Sequence, residues 1–182
     1  MTDSVIPGPR RADTPADAPV TAAVYEDFDA FYGRDVRGVI GLAYVLSGSR
    51  SGAEDLAQEA FLAAYRHWSR VGIYDNPGAW VRRVVANNAV SAARRRVSEA
   101  KSLVRLRNER VVVPELAEDN EALWAAVRQL PRRQAQVVAL CYWDSLNSRE
   151  IAEILDLSEP TVKSHLQRAR QSLAERYRRG MI

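Results

Sequence analysis

From about Ala22 to Tyr177, apolar residues recur at spacings of three and four, the period of helices with one buried face, and no stretch alternates as a strand would. Tyr25, Phe28, Phe31 and Tyr32 form an aromatic stripe on a first predicted helix. A second carries Val36, Val39, Ile40, Ala43, Tyr44 and Leu46 and stops at the Gly/Ser-rich run from Ser47 to Gly52. Ser51 with Glu54 fits a capping box for a third helix, Ala53 to about Trp68, whose apolar face is Ala57, Ala60, Phe61, Ala64, Tyr65 and Trp68. A loop from Arg70 leads to Asn76-Pro77, a cap followed by a first-turn proline. On the helix that follows, Val81, Val84, Val85, Ala89 and Ala92 can face a core, while Trp80, Arg83, Asn87, Ser91 and Arg94 share another face.

The period fades between about Ser98 and Asp119 and resumes at Asn120. Leu123, Ala126, Val127 and Leu130 make one stripe; Pro131 then opens a helix with Ala135, Val138, Ala139 and Tyr142 facing in. Asn147 with Glu150 makes a second capping-box pattern ahead of Ile151, Ala152, Ile154 and Leu155, and Ser158 caps another helix after a short turn. At ~100° per residue, Val162, Leu166, Ala169 and Leu173 fall in one narrow sector of that last helix. Pro160, Ser164, Gln167, Arg168 and Gln171 lie opposite, flanked by Thr161, Lys163 and His165. The expected fold is therefore all-α: a disordered tail over 1–21, a helical bundle over 22–97, a flexible linker over 98–119 and a helix-turn-helix domain over 120–182.

An outward face of amides, hydroxyls and cations with almost no acid suits a helix lying in a DNA major groove. An ordinary amphipathic hairpin with a solvated polar face is the alternative. The net charge of +3 is modest but unevenly spread: between Arg82 and Arg110 there are nine basic and two acidic residues. The stretch from Val24 to Glu59 is instead richer in acids, so two kinds of partner are expected. On the Trp80 face, an exposed aromatic beside amides and arginines would suit stacking on bases, whereas a Trp80 tucked into the core would leave only a solvated basic face. Asp55, Gln58 and Glu59 invite a catalytic or metal reading, but acids near a helix start are favoured by the dipole. The single cysteine, Cys141, reads as a small core hydrophobe, and two separated histidines, His67 and His165, make no metal site. No cofactor or metal is expected, and no run is apolar enough for a signal core or a membrane span.

Taken in order, four segments resemble a bacterial RNA polymerase sigma factor of the extracytoplasmic-function type, in the sigma-70 family. Ala53-Glu-Asp-Leu-Ala-Gln-Glu-Ala-Phe is similar to the core-binding motif of the sigma-2 domain, and Pro77-Gly-Ala-Trp-Val-Arg-Arg-Val-Val-Ala-Asn to its promoter-melting helix. Leu130-Pro-Arg-Arg-Gln resembles the opening of the sigma-4 domain, and Ile151-Ala-Glu-Ile-Leu through Thr161-Val-Lys-Ser to Arg168-Ala-Arg its helix-turn-helix. The resemblance implies a cytoplasmic, non-enzymatic protein that binds core RNA polymerase through the largest-subunit coiled coil and the β-flap. It also implies binding to promoter DNA, and leaves open an anti-sigma partner. Residue by residue, it places Asp55, Leu56, Gln58 and Glu59 against core polymerase. It places Trp80, Arg83, Asn87, Asn88, Ser91, Arg94 and Arg95 at the −10 element, with the loop from Arg70 to Asn76 capturing a flipped base. Ser158, Thr161, Lys163, Ser164, His165, Gln167 and Arg168 match positions that read the −35 element. Asn88, Ser91, Pro160 and His165 depart from the family's usual residues. A conventional helix-turn-helix regulator on a symmetric operator, and an enzyme in the first bundle, are the competing readings.

Overall fold

The computed structural model describes residues 26–99 and 120–182, with side chains described up to Ala89 in the first stretch. The expected tail (1–21), and the linker (98–119) beyond Glu99, lie outside these residues. All regular structure among them is helical. The elements are α1 (Phe28–Ser47), α2 (Arg50–Arg66), the single turn α3 (Trp68–Val71), α4 (Pro77–Glu99), α5 (Glu121–Arg128), α6 (Arg132–Tyr142), α7 (Ser148–Leu155) and α8 (Glu159–Arg178).

Two expectations about the first bundle are corrected. Residues 28–47 form one helix, not two, because Gly33 and Arg34 interrupt the apolar period on the solvent side without interrupting the backbone. The helix ends at Gly48, in the left-handed region at φ 69°, where its N–H reaches the Tyr44 carbonyl at 2.7 Å. The cap of α2 is Ser49 and not Ser51: its Oγ accepts from the Gly52 N–H at 3.3 Å. Helices α1, α2 and α4 pack around Phe31, Leu42, Val81 and Val85, all fully buried. Trp68, on α3, closes one end, with its ring 4.9 Å from Phe31 and edge-on to Phe28 at 5.1 Å.

In the second bundle the turn-flanking signals hold. Asn147 accepts from the Arg149 and Glu150 N–H groups, and Glu150 accepts in return from the Asn147 N–H at 2.8 Å. Ser158 accepts from Thr161, and Val162, Leu166 and Ala169 are buried. Two facing assignments do not hold. Leu123 is exposed and Trp124 takes the core position, while Tyr142 is 53% exposed. Helix α6 is enclosed almost all round, burying Ala135 to Leu140 without a break, so a single-stripe reading fails there. That enclosure includes Gln136, whose Nε2 donates to the Ala86 carbonyl of α4 at 2.7 Å and whose Oε1 accepts from Arg133.

The two bundles also share a core. Helix α1 packs against α5 and α6, and α4 against α7. Trp143, just after α6, lies on α1 and donates from Nε1 to the Gly38 carbonyl at 3.2 Å. A Cβ added to Gly41 would stand 2.0 Å from the Trp143 ring, so only glycine permits this seat. Alongside, Arg82 bridges Asp35 of α1 at 2.9 Å and Asp144 at 3.3 Å. Tyr44 donates to Glu121 at 3.2 Å, and Arg128 pairs with Glu121 while donating to the Val45 carbonyl at 3.3 Å.

The Arg82 bridge has a sign that can be tested. Burial raises the pKa of Asp144, and the Arg82 cation pulls it back only in part. Replacing Arg82 with Met leaves Asp144 buried without its cation, while Asp35 keeps Arg34 at 2.9 Å, and should cost ~3–5 kcal/mol by urea unfolding at pH 7. A carboxyl whose folded pKa lies above its unfolded value stabilises the fold below that unfolded value, and the stabilisation is lost as pH rises through the folded one. The defect of Arg82→Met should therefore shrink on acidification towards the carboxylate range.

Candidate protein-docking and nucleic-acid interfaces

An open groove of about 550 Å³ runs between α1 and α2, lined by Phe28, Val36, Ile40 and Phe61. Tyr32, Leu62 and Tyr65 stand on its walls, 43%, 45% and 62% exposed. Asp55 and Gln58 line the same groove, and Glu59 is exposed on the same helix. The structure thus joins acids to an apolar trough, a shape that accepts an amphipathic helix with basic flanks. Leu56 is a correction: it is 6% exposed and belongs to the bundle core, since it sits on the inner side of α2 with Ala53, Ala57 and Ala60. The exposed Leu62 and Tyr65, absent from the sequence-derived set, extend this surface. The helical stripe turns Tyr65 inward on the sequence, but its ring sits edge-on to Phe28 at 5.0 Å at the rim of the groove and stays largely exposed.

Helix α4 starts where Asn76 Oδ1 accepts from the Ala79 N–H at 2.9 Å. Its second face behaves differently from the expected exposed aromatic and arginine surface. Trp80 is 9% exposed, so the core reading of that ring is the right one. Arg83 Nε donates to the Ile154 carbonyl at 2.6 Å and its Nη2 to that of Glu153. These carbonyls end α7, lack intrahelical partners and sit at the negative pole of the helix, so a guanidinium is well placed there. Asn87 accepts from Arg132 Nη2 through both its backbone and its side-chain oxygen, each at 3.2 Å. Asn88 is exposed. The side chains of Ser91, Arg94 and Arg95 lie outside the described residues. In the loop before α4, Val71 is buried and Ile73 is 55% exposed.

Helix α8 presents the third surface. Lys163, Gln167 and Arg168 are exposed, Thr161, Ser164 and His165 are half-buried, and Ser158 is exposed at the cap. Lys163 pairs loosely with Glu159 one turn earlier at 3.6 Å, a contact that water screens and a phosphate could replace. Burial lowers the pKa of His165, helped by the nearby Arg168 and Arg133 cations, so the imidazole is neutral at pH 7. A neutral imidazole offers one donor and one acceptor, a different vocabulary from arginine at a base edge. The expected −35 set therefore lies along one helix and its cap, whereas the described part of the expected −10 set is divided among the core (Trp80), contacts to α6 and α7 (Asn87, Arg83) and open solvent (Asn88). Sequence reasoning missed Arg82, Trp143 and Asp144. A signal was present in Gly41, a glycine within a helix, where glycine costs about 1 kcal/mol relative to alanine and marks a close approach.

Among the described residues no group of His, Cys, Asp or Glu side chains could hold a metal, and no helix is long and apolar enough to cross a membrane. Comparison with known proteins accounts for both bundles. Residues 31–99 match the family described as Sigma-70 region 2, and residues 120–173 match Sigma-70, region 4. The chain is 33% identical over 124 residues to the RNA polymerase sigma-E factor of Streptomyces antibioticus, covering 68% of this chain and 69% of that one. It is also 33% identical over 136 residues to the ECF RNA polymerase sigma factor SigM of Bacillus subtilis, covering 71% and 82% respectively. The sigma factor RpoE of Bartonella quintana, solved in complex with the anti-sigma factor NepR, shares the fold with a TM-score of 0.64 at 23% identity, covering 82% of this chain and 95% of that one. The chain belongs to the sigma-70 family of RNA polymerase sigma factors, in its extracytoplasmic-function group.

Proposed function

We propose that the three surfaces divide the work of promoter-directed transcription initiation among themselves. The groove between α1 and α2 receives a helical element of core RNA polymerase, with Tyr32, Leu62 and Tyr65 in apolar contact and Asp55, Gln58 and Glu59 at its rim. Helix α4 meets the −10 element through Arg83, Asn87, Asn88 and the basic residues that follow. Helix α8 reads the −35 element through Lys163, Ser164, Gln167 and Arg168, with His165 and Thr161 flanking. The chain contributes recognition, and bond formation belongs to the polymerase.

One observation carries this reading. An exposed apolar trough edged by carboxylates is backed onto the same bundle as a basic helix, and a second bundle holds a recognition helix whose free face is cationic. A stand-alone operator-binding regulator has no use for the first of these. The relative solved with an anti-sigma factor supports a further partner of that kind, for which the same trough offers apolar area.

Reconstitution with core polymerase tests the assignment. Purified protein should confer promoter-dependent run-off transcription, and tight DNA binding without association to core would refute it. Asp55→Lys should weaken association with core by at least about tenfold, since like charges facing across an interface cost several kcal/mol. Binding of −35 DNA should be unchanged in that variant, as Asp55 is exposed and remote from α8. Arg168→Ala should lose ~1–3 kcal/mol at a single −35 base pair if the guanidinium reads a base edge, measured by titrating the protein against substituted duplexes. A uniform loss across all sequences would identify a phosphate contact instead.

A further inference from the structure

We propose that Arg133 of α6 and His165 of α8 form a clamp for one backbone phosphate of the DNA, which fixes the register in which α8 lies in the groove. The proposal rests on the assignment of α8 to the −35 element and adds to it a phosphate seat that spans two helices. Both residues act as positioning groups, and neither reads a base.

His165 does not stand where a base reader would. At ~100° per residue it lies ~60° from Val162, on the edge between the buried stripe and the outward face. Ser164, Gln167 and Arg168 lie ~120–160° from Val162, near the centre of that outward face. The centre of a groove-bound helix meets base edges, and its flanks meet the sugar-phosphate walls. Helix α6 packs along α8 and brings the Arg133 cation to bear on the imidazole, so the flank that His165 occupies carries a second donor from another helix.

The two ring nitrogens have different surroundings. Nδ1 is buried and has no hydrogen-bond partner among the described residues, whereas Nε2 is not enclosed in this way. A proton on Nδ1 would be a buried donor without an acceptor, so the neutral ring carries its proton on Nε2. The imidazole therefore offers the outside a single N–H, and the charges around it say which acceptor it takes. Arg133 from α6 and Arg168 from its own helix both push the imidazole pKa down, and neither a carboxylate nor any charge on α7 acts against them. Lys163 on the same helix is turned to Glu159. Arg133 donates from Nη1 to the neutral Gln136 amide at 3.1 Å and has no ion pair among the described residues, so its charge is unmatched. A cation and a neutral N–H, side by side with no acid between them, fit an anion. On the flank of a groove-bound helix that anion is a phosphodiester, and Arg168 is left free to read a base.

Two measurements test the clamp. Nitrogen-15 spectroscopy of the full-length chain at pH 7, assigned with His67→Gln, should show His165 neutral with its proton on Nε2. A proton on Nδ1 overturns the clamp with no DNA present. The second measurement uses the chain bound to core polymerase and a duplex that this complex enriches from a pool randomised across the −35 region. Single methylphosphonate linkages, each removing one backbone charge, are placed in turn along that duplex. At one linkage the wild type should lose about tenfold in affinity, and His165→Leu and Arg133→Met should both be insensitive there while keeping the wild-type base preferences. His165→Gln, whose amide donates from where Nε2 stood, should keep most of the sensitivity, and His165→Asn should not. If His165→Leu loses helicity by circular dichroism, the Gln and Asn variants carry the test. An unchanged linkage profile in the His165 variants, different linkages for His165 and Arg133, or an altered preference at one base pair overturns the clamp. Exchanging chloride for inorganic phosphate at constant ionic strength should leave binding unchanged; competition would assign the seat to free phosphate instead. A complex that enriches no duplex refutes the −35 assignment and the clamp with it, whereas an enriched duplex with the wrong profile counts against the clamp alone.

Discussion

The contact on which the remaining structure depends is the meeting of Trp143 with a point on α1 that has no side chain to oppose it. Gly41 lets the indole lie on the α1 backbone, where it donates to the Gly38 carbonyl, and the same packing holds the contacts of Asp144 with Arg82 and of α7 with Arg83. Helices normally exclude glycine from such positions because it forfeits backbone order. Here the loss is offset by area: an aromatic ring of this size removes about 150–250 Å² from water. The bundles are small, and each alone buries too little apolar surface to be strongly stable. Packing them together supplies what neither has separately.

That arrangement sets a competition between stability and function. A guanidinium at the end of α7 satisfies orphan carbonyls in the folded chain and would satisfy phosphates in a promoter complex. The same holds for Lys163 with Glu159, although that pair is exposed and weak. The groups are interchangeable between internal and external partners because both present oxygen atoms bearing negative charge. A promoter therefore need not create a new binding chemistry at α4. Under the proposed assignment its phosphates would take the place of the α7 carbonyls, while polymerase would hold both domains near the DNA and raise their effective concentration.

Much of this was legible in the residues. The helix-turn-helix could be drawn almost to the residue because its signals are local: Asn147, Glu150 and Ser158 cap, and Val162, Leu166 and Ala169 keep a clean period. The acidic face of α2 and its segment order were equally plain. What failed was whatever depended on a second layer. The choice between an exposed and a buried Trp80 needed the other layers packed on α4, which a single helical stripe cannot encode, and Tyr142, read as inward, lies at the end of α6 and is exposed. Leu56 was assigned to a surface by its place in a motif, though its angle on α2 points it inward. The Tyr32 stripe and the Val36 stripe read as two helices since a solvent-facing break in periodicity looks the same as a turn. The packing of one bundle on the other has no local signature except a glycine inside α1, Gly41, which acquires meaning only when Trp143 is seen against it.

The meeting of the two bundles in the free chain is the contact on which the account stands. Nitroxide labels at exposed Arg66 and Gln171, each changed to cysteine in a Cys141→Ser chain, would report it by pulsed electron spin resonance. The account predicts one narrow distance in the free protein, as bundles that share a core require. A broad distribution would contradict it.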